Sequence, residues 1–254
     1  MNILINILVA IICLILGYIF GSIPTAVWIG KIFFHRDPRL EGSKNAGGTN
    51  AGRLFGKKIG FLVIILDMAK IIVPVWIAFA VLTYVKFGDI YLIPRPKEFS
   101  NQGFNFDYII SWPVYWLTVV GCSIGHCFPI FASFKGGKSV SVFAGTAAGT
   151  NWMIGFIPGL LLFFGTLKIS KKVSLASIIT AISLSLINWI WTILLMLNVI
   201  PHDLMLLGMY GYTICPGFVM STCMTLVAIL LIIRHKENII RLKNGTERTI
   251  TWMK

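Results

Sequence analysis

Apolar residues fill this chain in long runs that polar segments separate. Six runs are present: Ile3 to about Phe34, Phe61 to about Tyr84, Trp112 to Phe131, Val140 to Leu167, Val173 to about Val199, and a last run that ends at Ile233. None of them alternates strictly as a barrel strand does, and a helix needs roughly twenty residues to cross lipid. Because a backbone in lipid must satisfy its own hydrogen bonds, the pattern predicts an all-α polytopic membrane protein.

A break inside one run raises the predicted number of transmembrane helices to about seven. Glycines and a proline interrupt Val140 to Leu167, so we expect a short helix and a second helix that turns back near Thr150-Asn151. In the first run, Gly17 and Gly21 lie four residues apart, which predicts close packing against another helix. Pro24 follows and predicts a kink where that helix leaves the hydrocarbon.

The composition excludes a water-soluble protein. Of the 254 residues, 57% are hydrophobic and 12% are charged, and the mean hydropathy is +0.84. The net charge of +13 suggests anionic partners, but nucleic acid is a poor match for a chain with no sizeable soluble domain. The five cysteines show neither C-x-x-C pairing nor zinc spacing, so they are interpreted as small core residues. No metal or cofactor is expected.

Positive charge is distributed unequally between the two sides of the predicted bundle. With seven helices and the amino terminus outside, 18 of the 22 Lys and Arg residues become cytoplasmic, including those of the tail 234–254. Three others lie in a polar external insert at about residues 84–111, and Lys70 is intramembrane. The positive-inside rule therefore predicts a cytoplasmic carboxyl terminus, with residues 1–254 forming one integral membrane domain.

The stretch Gly42 to Gly60 carries positive charge and hydrogen-bonding groups without any acid. Its basic and uncharged polar residues are Lys44, Arg53, Lys57, Lys58, Ser43, Asn45, Thr49 and Asn50. Its glycines are expected to interrupt any regular element and to let backbone N–H groups face a ligand. We interpret the stretch as an anion site; the alternative is a basic loop that only orients the neighbouring helices.

A second candidate anion site is the sequence K-G-G-K. Gly136 and Gly137 stand between Lys135 and Lys138, and such a loop can wrap a phosphate with backbone N–H groups and both ammonium groups. It is not a Walker A motif, which requires a different spacing after a strand.

Several ionisable residues allow two interpretations. Asp67 and Lys70 are one helical turn apart at membrane depth, so they are either functional groups or an ion pair that supports the nearby loop. His126 is either a core histidine or part of a site. In the tail, His235, Asn238 and Arg241 share a helix face at three-residue spacing.

Four polar clusters that are far apart in sequence are thus predicted on the cytoplasmic face. They are the Gly42 to Gly60 stretch, K-G-G-K, the S-L-A-S turn from Ser174 to Ser177, and the tail face. These clusters are rich in groups that bind anions and poor in strong bases. They suit substrates that carry phosphate and a leaving group that is already good, which suggests acyl or phosphoryl transfer at the membrane surface.

Six motifs in order resemble one bacterial family. The chain contains G-S-I-P, then G-S-x-N-x-G-x-T-N-x-x-R-x-x-G-K-x-x-G, D-x-x-K, G-H-x-F-P-x-F-x-x-F-K-G-G-K, S-L-A-S and R-H-x-x-N-I-x-R-L. Together they resemble the acyl-phosphate:glycerol-3-phosphate acyltransferases of the PlsY family. The resemblance implies a seven-helix enzyme of the bacterial cytoplasmic membrane. Such an enzyme transfers a fatty acyl group from acyl phosphate to the 1-hydroxyl of glycerol 3-phosphate, giving lysophosphatidic acid and phosphate.

The resemblance also assigns roles by position. It implies that Ser43, Thr49 and Arg53 hold the acyl-phosphate head and that Gly136, Gly137 and Lys138 form the loop for glycerol phosphate. It implies that Ser177, His235 and Asn238 complete the pocket. Three positions depart from the family pattern: Lys44 and Ser139 replace glycines, and Ser141 replaces an alanine.

Two alternatives remain open at this point. A transporter or channel for a phosphorylated metabolite would use the same basic loops as an anion vestibule, and the broken helices near residues 145–158 would suit it. His235 and Asn238 would alternatively only anchor the tail helix at the membrane interface.

Overall fold

The structure is a computed structural model that describes residues 3–87, 90–91, 114–150, 152–197, 199 and 217–250. Its α-helices are α1 (Ile3–Gly21), α2 (Thr25–Phe34), α3 (Gly48–Phe55), α4 (Lys57–Tyr84), α5 (Leu117–Cys127), α6 (Val140–Thr150), α7 (Ile157–Ser170), α8 (Val173–Met196), α9 (Phe218–Arg234) and α10 (Lys236–Lys243). Val114–Trp116 and Ile130–Ala132 form 3-10 turns, and Trp152–Phe156 forms a π-helical turn. β1 (Lys86–Phe87) and β2 (Ile90–Tyr91) pair as a short antiparallel hairpin.

Apart from that hairpin, the regular elements of the described residues are helical, which confirms the predicted helical architecture. Four helical segments are long and apolar enough to cross a membrane: Leu4–Phe34, Lys57–Tyr84, Val114–Ala132 and Val173–Leu194. A fifth is Phe218–Arg234 if it is joined with Lys236–Lys243, which bends away from it by 60°. The 11 residues of α6 rise only about 16 Å, against about 30 Å of hydrocarbon. The number seven therefore stays a prediction, as does the side on which each terminus lies.

The interruption predicted at Pro24 is confirmed, because the helical hydrogen bonding stops between α1 and α2 within the span Leu4–Phe34. α1 ends at Gly21 and α2 begins at Thr25, with Pro24 directly before it. Proline lacks the N–H that a continuous helix would use at this position, so the break follows from its chemistry.

The described residues before Ala147 form one compact unit and those from Ala147 onward form another. In the first unit, α1 and α5 approach so closely that glycines are required. A Cβ on Gly17 would lie 2.1 Å from the Thr118 carbonyl oxygen, and one on Gly121 would lie 2.1 Å from that of Leu14. Gly21 and Gly125 meet backbone in the same way, which confirms the predicted close packing of the first helix.

The second unit is held by hydrogen bonds between helices as well as by apolar contacts. Trp189 Nε1 donates to Thr225 Oγ1 at 2.9 Å, which connects α8 with α9. After α10 the chain returns to the start of α8, because the Ile250 N–H donates to the Lys171 carbonyl at 2.8 Å. Leu167, Ala176 and Ile250 form a small buried cluster beneath this contact.

One expectation about the Gly42 to Gly60 stretch is wrong, because its glycines do not interrupt all regular structure. Gly48–Phe55 is helix α3. A Cβ on Gly60 would lie 2.6 Å from the Gly52 Cα, so these glycines let α3 pack closely on α4. The packing of the two backbones compensates for the low helix propensity of glycine.

The cysteine prediction is confirmed where the structure describes the chain. Cys13, Cys122, Cys127 and Cys223 are buried and unbridged. Cys215 and most of the insert at residues 84–111 lie outside the described residues. The prediction of one domain for residues 1–254 concerns the chain as a whole and stays a prediction.

Candidate active site

Asn50 determines the shape of the Ser43 loop, residues 35–47 between α2 and α3. Its Nδ2 donates to the Pro38 carbonyl at 2.8 Å and to the Glu41 carbonyl at 3.1 Å. Its Oδ1 accepts from the Ser43 N–H at 2.8 Å. Because the side chain is 1% exposed and its amide is occupied by the loop backbone, Asn50 supports the loop from inside.

The other predicted groups of this stretch lie around the Asn50 anchor. Thr49 and Arg53 are exposed and lie four residues apart on α3, so they share one face of that helix. Ser43 and Asn45 are half-buried in the loop. Lys44 has φ of +55°, a left-handed conformation that favours glycine. The departure from the family pattern at this position thus falls where the backbone most suits a glycine.

Arg39 connects the Ser43 loop with the segment that precedes K-G-G-K. Its Nη1 donates to the Ala132 carbonyl at 2.7 Å, and its Nη2 lies 2.7 Å from Asp37 Oδ2. Hydrogen bonds from Arg39 lower the pKa of Asp37 to about 2, so this carboxylate is charged at neutral pH. The sequence analysis missed Arg39, although the two-residue spacing between Asp37 and Arg39 was a signal for such a pair.

The glycine loop, Lys135–Lys138, packs directly on His126 of α5. The Gly137 N–H donates to the His126 carbonyl at 2.9 Å. A Cβ on Gly136 would lie 2.1 Å from that carbonyl oxygen, and one on Gly137 would lie 2.1 Å from His126 Nε2. Both positions therefore require glycine, because any larger residue would collide with His126.

A buried group of polar side chains lies behind His126. Lys70 Nζ is 3.0 Å from Asp67 Oδ1 and donates to the Ile23 carbonyl at 3.1 Å, at the break between α1 and α2. Thr25 Oγ1 donates to the same Asp67 oxygen, and His126 Nδ1 lies 3.8 Å from it. We call Thr25, Asp67, Lys70 and His126 the buried support. The structure shows the ion pair that the second interpretation requires, and a functional role of Asp67 and Lys70 stays a prediction.

A small cavity brings together segments that the sequence analysis singled out separately. Its lining includes Thr25, Ala46, Lys70, His126, Gly136 and Gly137. The Ser43 loop, the glycine loop and the buried support therefore meet at one place. Lys70 is paired with Asp67 there, so the features that favour an anionic ligand are the glycine-loop backbone and the lysines on either side of it.

In the second unit, one carboxylate organises the predicted tail face. Glu247 Oε1 accepts from Ser174 Oγ and from Asn238 Nδ2, both at 2.7 Å, and Oε2 accepts from Arg241 Nε at 2.8 Å. We call these four residues the Glu247 cluster. Burial raises the pKa of Glu247, but the hydrogen bonds from Asn238, Ser174 and Arg241 outweigh it and hold the pKa below its usual value.

The Glu247 cluster confirms part of the sequence prediction and adds one residue to it. Asn238 and Arg241 lie on one face, as their spacing predicts, and Ser174 joins them from the S-L-A-S segment, which forms the first turn of helix α8. Glu247 was not singled out. The only signal for it was that acids are rare in a chain with nine Asp and Glu against 22 Lys and Arg.

His235 and Ser177 are buried near the ends of helices in the second unit. His235 is 3% exposed, lies at the bend between α9 and α10, and has its Nδ1 2.8 Å from the Leu231 carbonyl oxygen. When Nδ1 donates to that carbonyl, a neutral ring carries its lone pair on Nε2. Ser177 is 2% exposed and donates to the Val173 carbonyl at 2.8 Å, so its oxygen still has acceptor capacity.

The sequence is similar to curated bacterial enzymes over almost its whole length. A family model described as glycerol-3-phosphate acyltransferase matches residues 11–245. A glycerol-3-phosphate acyltransferase of Streptococcus pneumoniae is 32% identical over 251 residues, which cover 96% of this chain and 95% of that protein. A Staphylococcus haemolyticus protein of the same name is 34% identical over 249 residues, covering 96% of this chain and 98% of that protein.

Two crystal structures resemble the fold. Both are of PlsY (YgiH), described as an integral membrane glycerol 3-phosphate acyltransferase. The glycerol 3-phosphate form has a TM-score of 0.69 and 30% identity, and it covers 95% of this chain and 96% of the other. The lysophosphatidic acid form has a TM-score of 0.67 and 29% identity, with 95% of each chain covered.

Proposed function

This chain belongs to the glycerol-3-phosphate acyltransferase family, and we propose that it takes the acyl group from acyl phosphate. The chain is an integral membrane acyltransferase that acts on glycerol 3-phosphate. In the proposed reaction, the 1-hydroxyl oxygen of glycerol 3-phosphate bonds to the acyl carbon, and the bond from that carbon to the phosphate oxygen breaks. The products are lysophosphatidic acid and inorganic phosphate. A transporter or channel is not favoured, because the matched relatives are named as acyltransferases.

The observation that carries the proposal is the glycine loop packed on His126 beside the cavity. Two glycines without room for a side chain stand between Lys135 and Lys138. We propose that a phosphate is bound, in the ground state and the transition state alike, by the two ammonium groups and by loop N–H groups other than that of Gly137, which donates to the His126 carbonyl. We assign the phosphate of glycerol 3-phosphate to this loop.

The donor phosphate is assigned to the Ser43 loop and α3. Arg53 forms two parallel hydrogen bonds with a phosphate, and its charge opposes the negative charge that builds on the leaving group. Thr49, on the same helix face, and Ser43 and Asn45 supply further hydrogen bonds. Asn50 contributes by fixing the loop backbone that presents them.

We also assign roles in acyl transfer to three residues of the second unit: Ser177, His235 and Asn238. His235 orients the acceptor hydroxyl or stabilises charge beside it, for which a lone pair on Nε2 is suited. The support for these roles is the position of the residues in the family motifs and their burial. Asn238 is held by Glu247, which removes rotational freedom from its amide.

We also propose seven transmembrane helices, an amino terminus outside and a cytoplasmic carboxyl terminus in the bacterial cytoplasmic membrane. This arrangement places 18 of the 22 Lys and Arg residues on the cytoplasmic side, and that bias supports it. Lys44→Cys and Gln102→Cys test it, since the four described native cysteines are buried. A membrane-impermeant thiol reagent applied to intact cells should label position 102 and spare position 44. Labelling at position 44 would show that the chain has the opposite orientation to the one proposed.

The test of the reaction is the release of phosphate from palmitoyl phosphate by purified protein. We expect release only when glycerol 3-phosphate is present, together with an equal amount of lysophosphatidic acid. Palmitoyl-CoA should give no turnover, because its leaving group is a thiolate and not the phosphate that the Ser43 loop and α3 are proposed to bind. Comparable turnover with palmitoyl-CoA would refute the donor assignment, and flux of glycerol 3-phosphate into proteoliposomes without acyl transfer would favour the transporter.

A further inference from the structure

We propose that His126, backed by the Asp67–Lys70 ion pair, is a positioning residue for the acceptor phosphate, because it fixes the backbone of the glycine loop. The inference rests on the proposed function, in which the glycine loop binds the phosphate of glycerol 3-phosphate. His126 acts through Gly136 and Gly137, and its own contact with substrate is not required. The chemical class that the positioned loop takes is a phosphate monoester.

The first argument is that His126 determines where the loop backbone lies. Its carbonyl accepts from the Gly137 N–H at 2.9 Å, and its ring occupies the space that a side chain on Gly137 would need. The same carbonyl oxygen occupies the space that a side chain on Gly136 would need. His126 thus fixes the backbone at both glycines. Because the Gly137 N–H faces the His126 carbonyl, what His126 positions for the phosphate is the rest of the loop, including the lysines on either side of the glycines.

The second argument is that burying the charges of Asp67 and Lys70 behind His126 costs desolvation energy, which a contribution to stability alone does not explain. Asp67 is 0% exposed, Lys70 is 6% exposed and His126 is 6% exposed. A buried ion pair is weak evidence for stability, because desolvation offsets much of its attraction. In the part of the chain that the structure describes, Asp67 Oδ2 also has no hydrogen-bond partner. The geometry instead places these groups relative to one another: Lys70 Nζ donates to the Ile23 carbonyl at 3.1 Å, and Asp67 Oδ1 lies next to the His126 ring, 3.8 Å from Nδ1.

The third argument concerns the effect that the buried support should have on the KM for glycerol 3-phosphate. A binding loop whose backbone is already oriented does not lose conformational entropy when the phosphate arrives. This gain is the same for the ground state and the transition state, so disturbing the support should raise the KM for glycerol 3-phosphate and leave kcat nearly unchanged. The KM for the acyl donor should not change, since its proposed ligands are on α3 and the Ser43 loop.

The sharpest test is a double-mutant cycle between Gly137 and His126. Gly137→Ala places a Cβ against the His126 ring, so we expect the KM for glycerol 3-phosphate to rise about tenfold, within the range known for contacting pairs. His126→Ala should raise the same KM severalfold, because it removes the ring on which the glycine loop packs. In the double variant the added methyl group has room, so its KM should be close to that of His126→Ala alone. A KM equal to the product of the two single effects would overturn the proposal.

The ion pair is tested with both charges removed together, since removing one would leave the other buried and uncompensated. Asp67→Asn combined with Lys70→Met should raise the KM for glycerol 3-phosphate severalfold with kcat within about twofold of the parent. The matched control is Thr83→Val, which replaces a fully buried hydroxyl on the same helix, about 20–24 Å along its axis from the pair. A merely structural pair would lower the amount of folded enzyme and leave its KM unchanged, and that result would also overturn the proposal.

Binding of radiolabelled glycerol 3-phosphate, measured in parallel, separates this proposal from the proposed function. If the wild-type protein binds glycerol 3-phosphate without transferring an acyl group from acyl phosphate, the donor assignment fails while the same cycle in Kd still tests His126. If it transfers the group and the cycle is multiplicative, only the positioning role fails. His126→Gln replaces His126→Ala should the alanine variant not accumulate in membranes.

Discussion

The glycine loop of the first unit and the Glu247 cluster of the second hold their polar groups by opposite means. In the first, backbone lies against backbone and ring, and glycines leave no room for further atoms. In the second, three side-chain donors converge on one carboxylate from 2.7 to 2.8 Å. The first arrangement is therefore sensitive to added volume and the second to lost charge.

The largest effect is expected in the second unit, from His235→Ala and Asn238→Ala. A positioned group next to the reacting hydroxyl contributes about 10² to 10⁴ in rate, so each variant should lose most acyl transfer while accumulating normally. Acyl transfer at matched membrane levels measures this loss. Asn244→Ala, at the exposed end of α10, is the matched control and should remain active. Near-normal activity of both site variants would show that the tail only anchors the protein.

Glu247→Ala tests how much stability comes from the three side chains that donate to this carboxylate. Three donors lose a buried acceptor, so we expect the free energy of unfolding to fall by at least about 3 kcal/mol. The thermal midpoint in detergent should fall accordingly, and acyl transfer should fall because Asn238 is no longer held. Glu237→Ala is the control, since Glu237 is on α10 but its side chain is 88% exposed and 3.9 Å from Arg241. Equal midpoints for the two variants would contradict the role of Glu247.

The same carboxylate predicts a dependence on pH. The folded-state pKa of Glu247 lies below the ordinary value of 4.5, so its contribution is fully present above about pH 4.5 and is lost as pH falls through the folded value. Glu247→Gln should flatten the acid limb of the midpoint against pH. An acid limb identical to that of the parent would assign the loss of stability to other groups.

Much of the fold could be predicted because its signals are local. Long apolar runs give the helices, Pro24 gives the break between α1 and α2, and Gly17 and Gly21 give the close contact with α5. The helix α3 was missed because glycine density normally indicates a loop. Its stability comes from the approach of Gly52 to Gly60, which is tertiary and leaves no periodic pattern.

In the candidate site, too, contacts within one helix could be predicted from the sequence and contacts between distant segments could not. The pairing of Asp67 with Lys70 was one of two predicted readings because three-residue spacing places them on one helix face. Thr25 and His126 come to the same oxygen from other segments, which helical spacing cannot indicate. Glu247 reaches Asn238 only because the chain turns back at Gly245, whose φ is +71°. Contacts formed by such turns require the structure.

Gly121→Ala measures the sensitivity of the first unit to volume. The added Cβ would lie 2.1 Å from the Leu14 carbonyl oxygen, so α1 and α5 must separate, at a cost of about 1–3 kcal/mol. The matched control is Gly165→Ala on α7, because no described atom lies within 4 Å of that Cβ. Thermal midpoints should fall for the first and stay level or rise for the second. A fall of equal size in both would remove the distinction.

The smallest effect is expected from Ser139→Gly, at the end of the glycine loop. Ser139 has φ of +62°, and its fully buried hydroxyl has no partner among the described residues. Glycine adopts this conformation without strain and removes the unpaired hydroxyl, while it adds entropy to the unfolded chain. The net gain should be about 0.5–1 kcal/mol, observed as a small rise of the thermal midpoint.

Ser141→Gly provides a control of opposite sign two residues further on. Ser141 lies within α6 and is not among the described residues with positive φ, so glycine there only weakens the helix, by about 0.5 kcal/mol. The two substitutions are chemically identical and differ only in the backbone conformation that receives them. A rise for Ser139→Gly with a fall for Ser141→Gly would show that the loop is held in a conformation suited to glycine. If both midpoints fall, the entropy of the unfolded chain dominates and the backbone at position 139 is not strained.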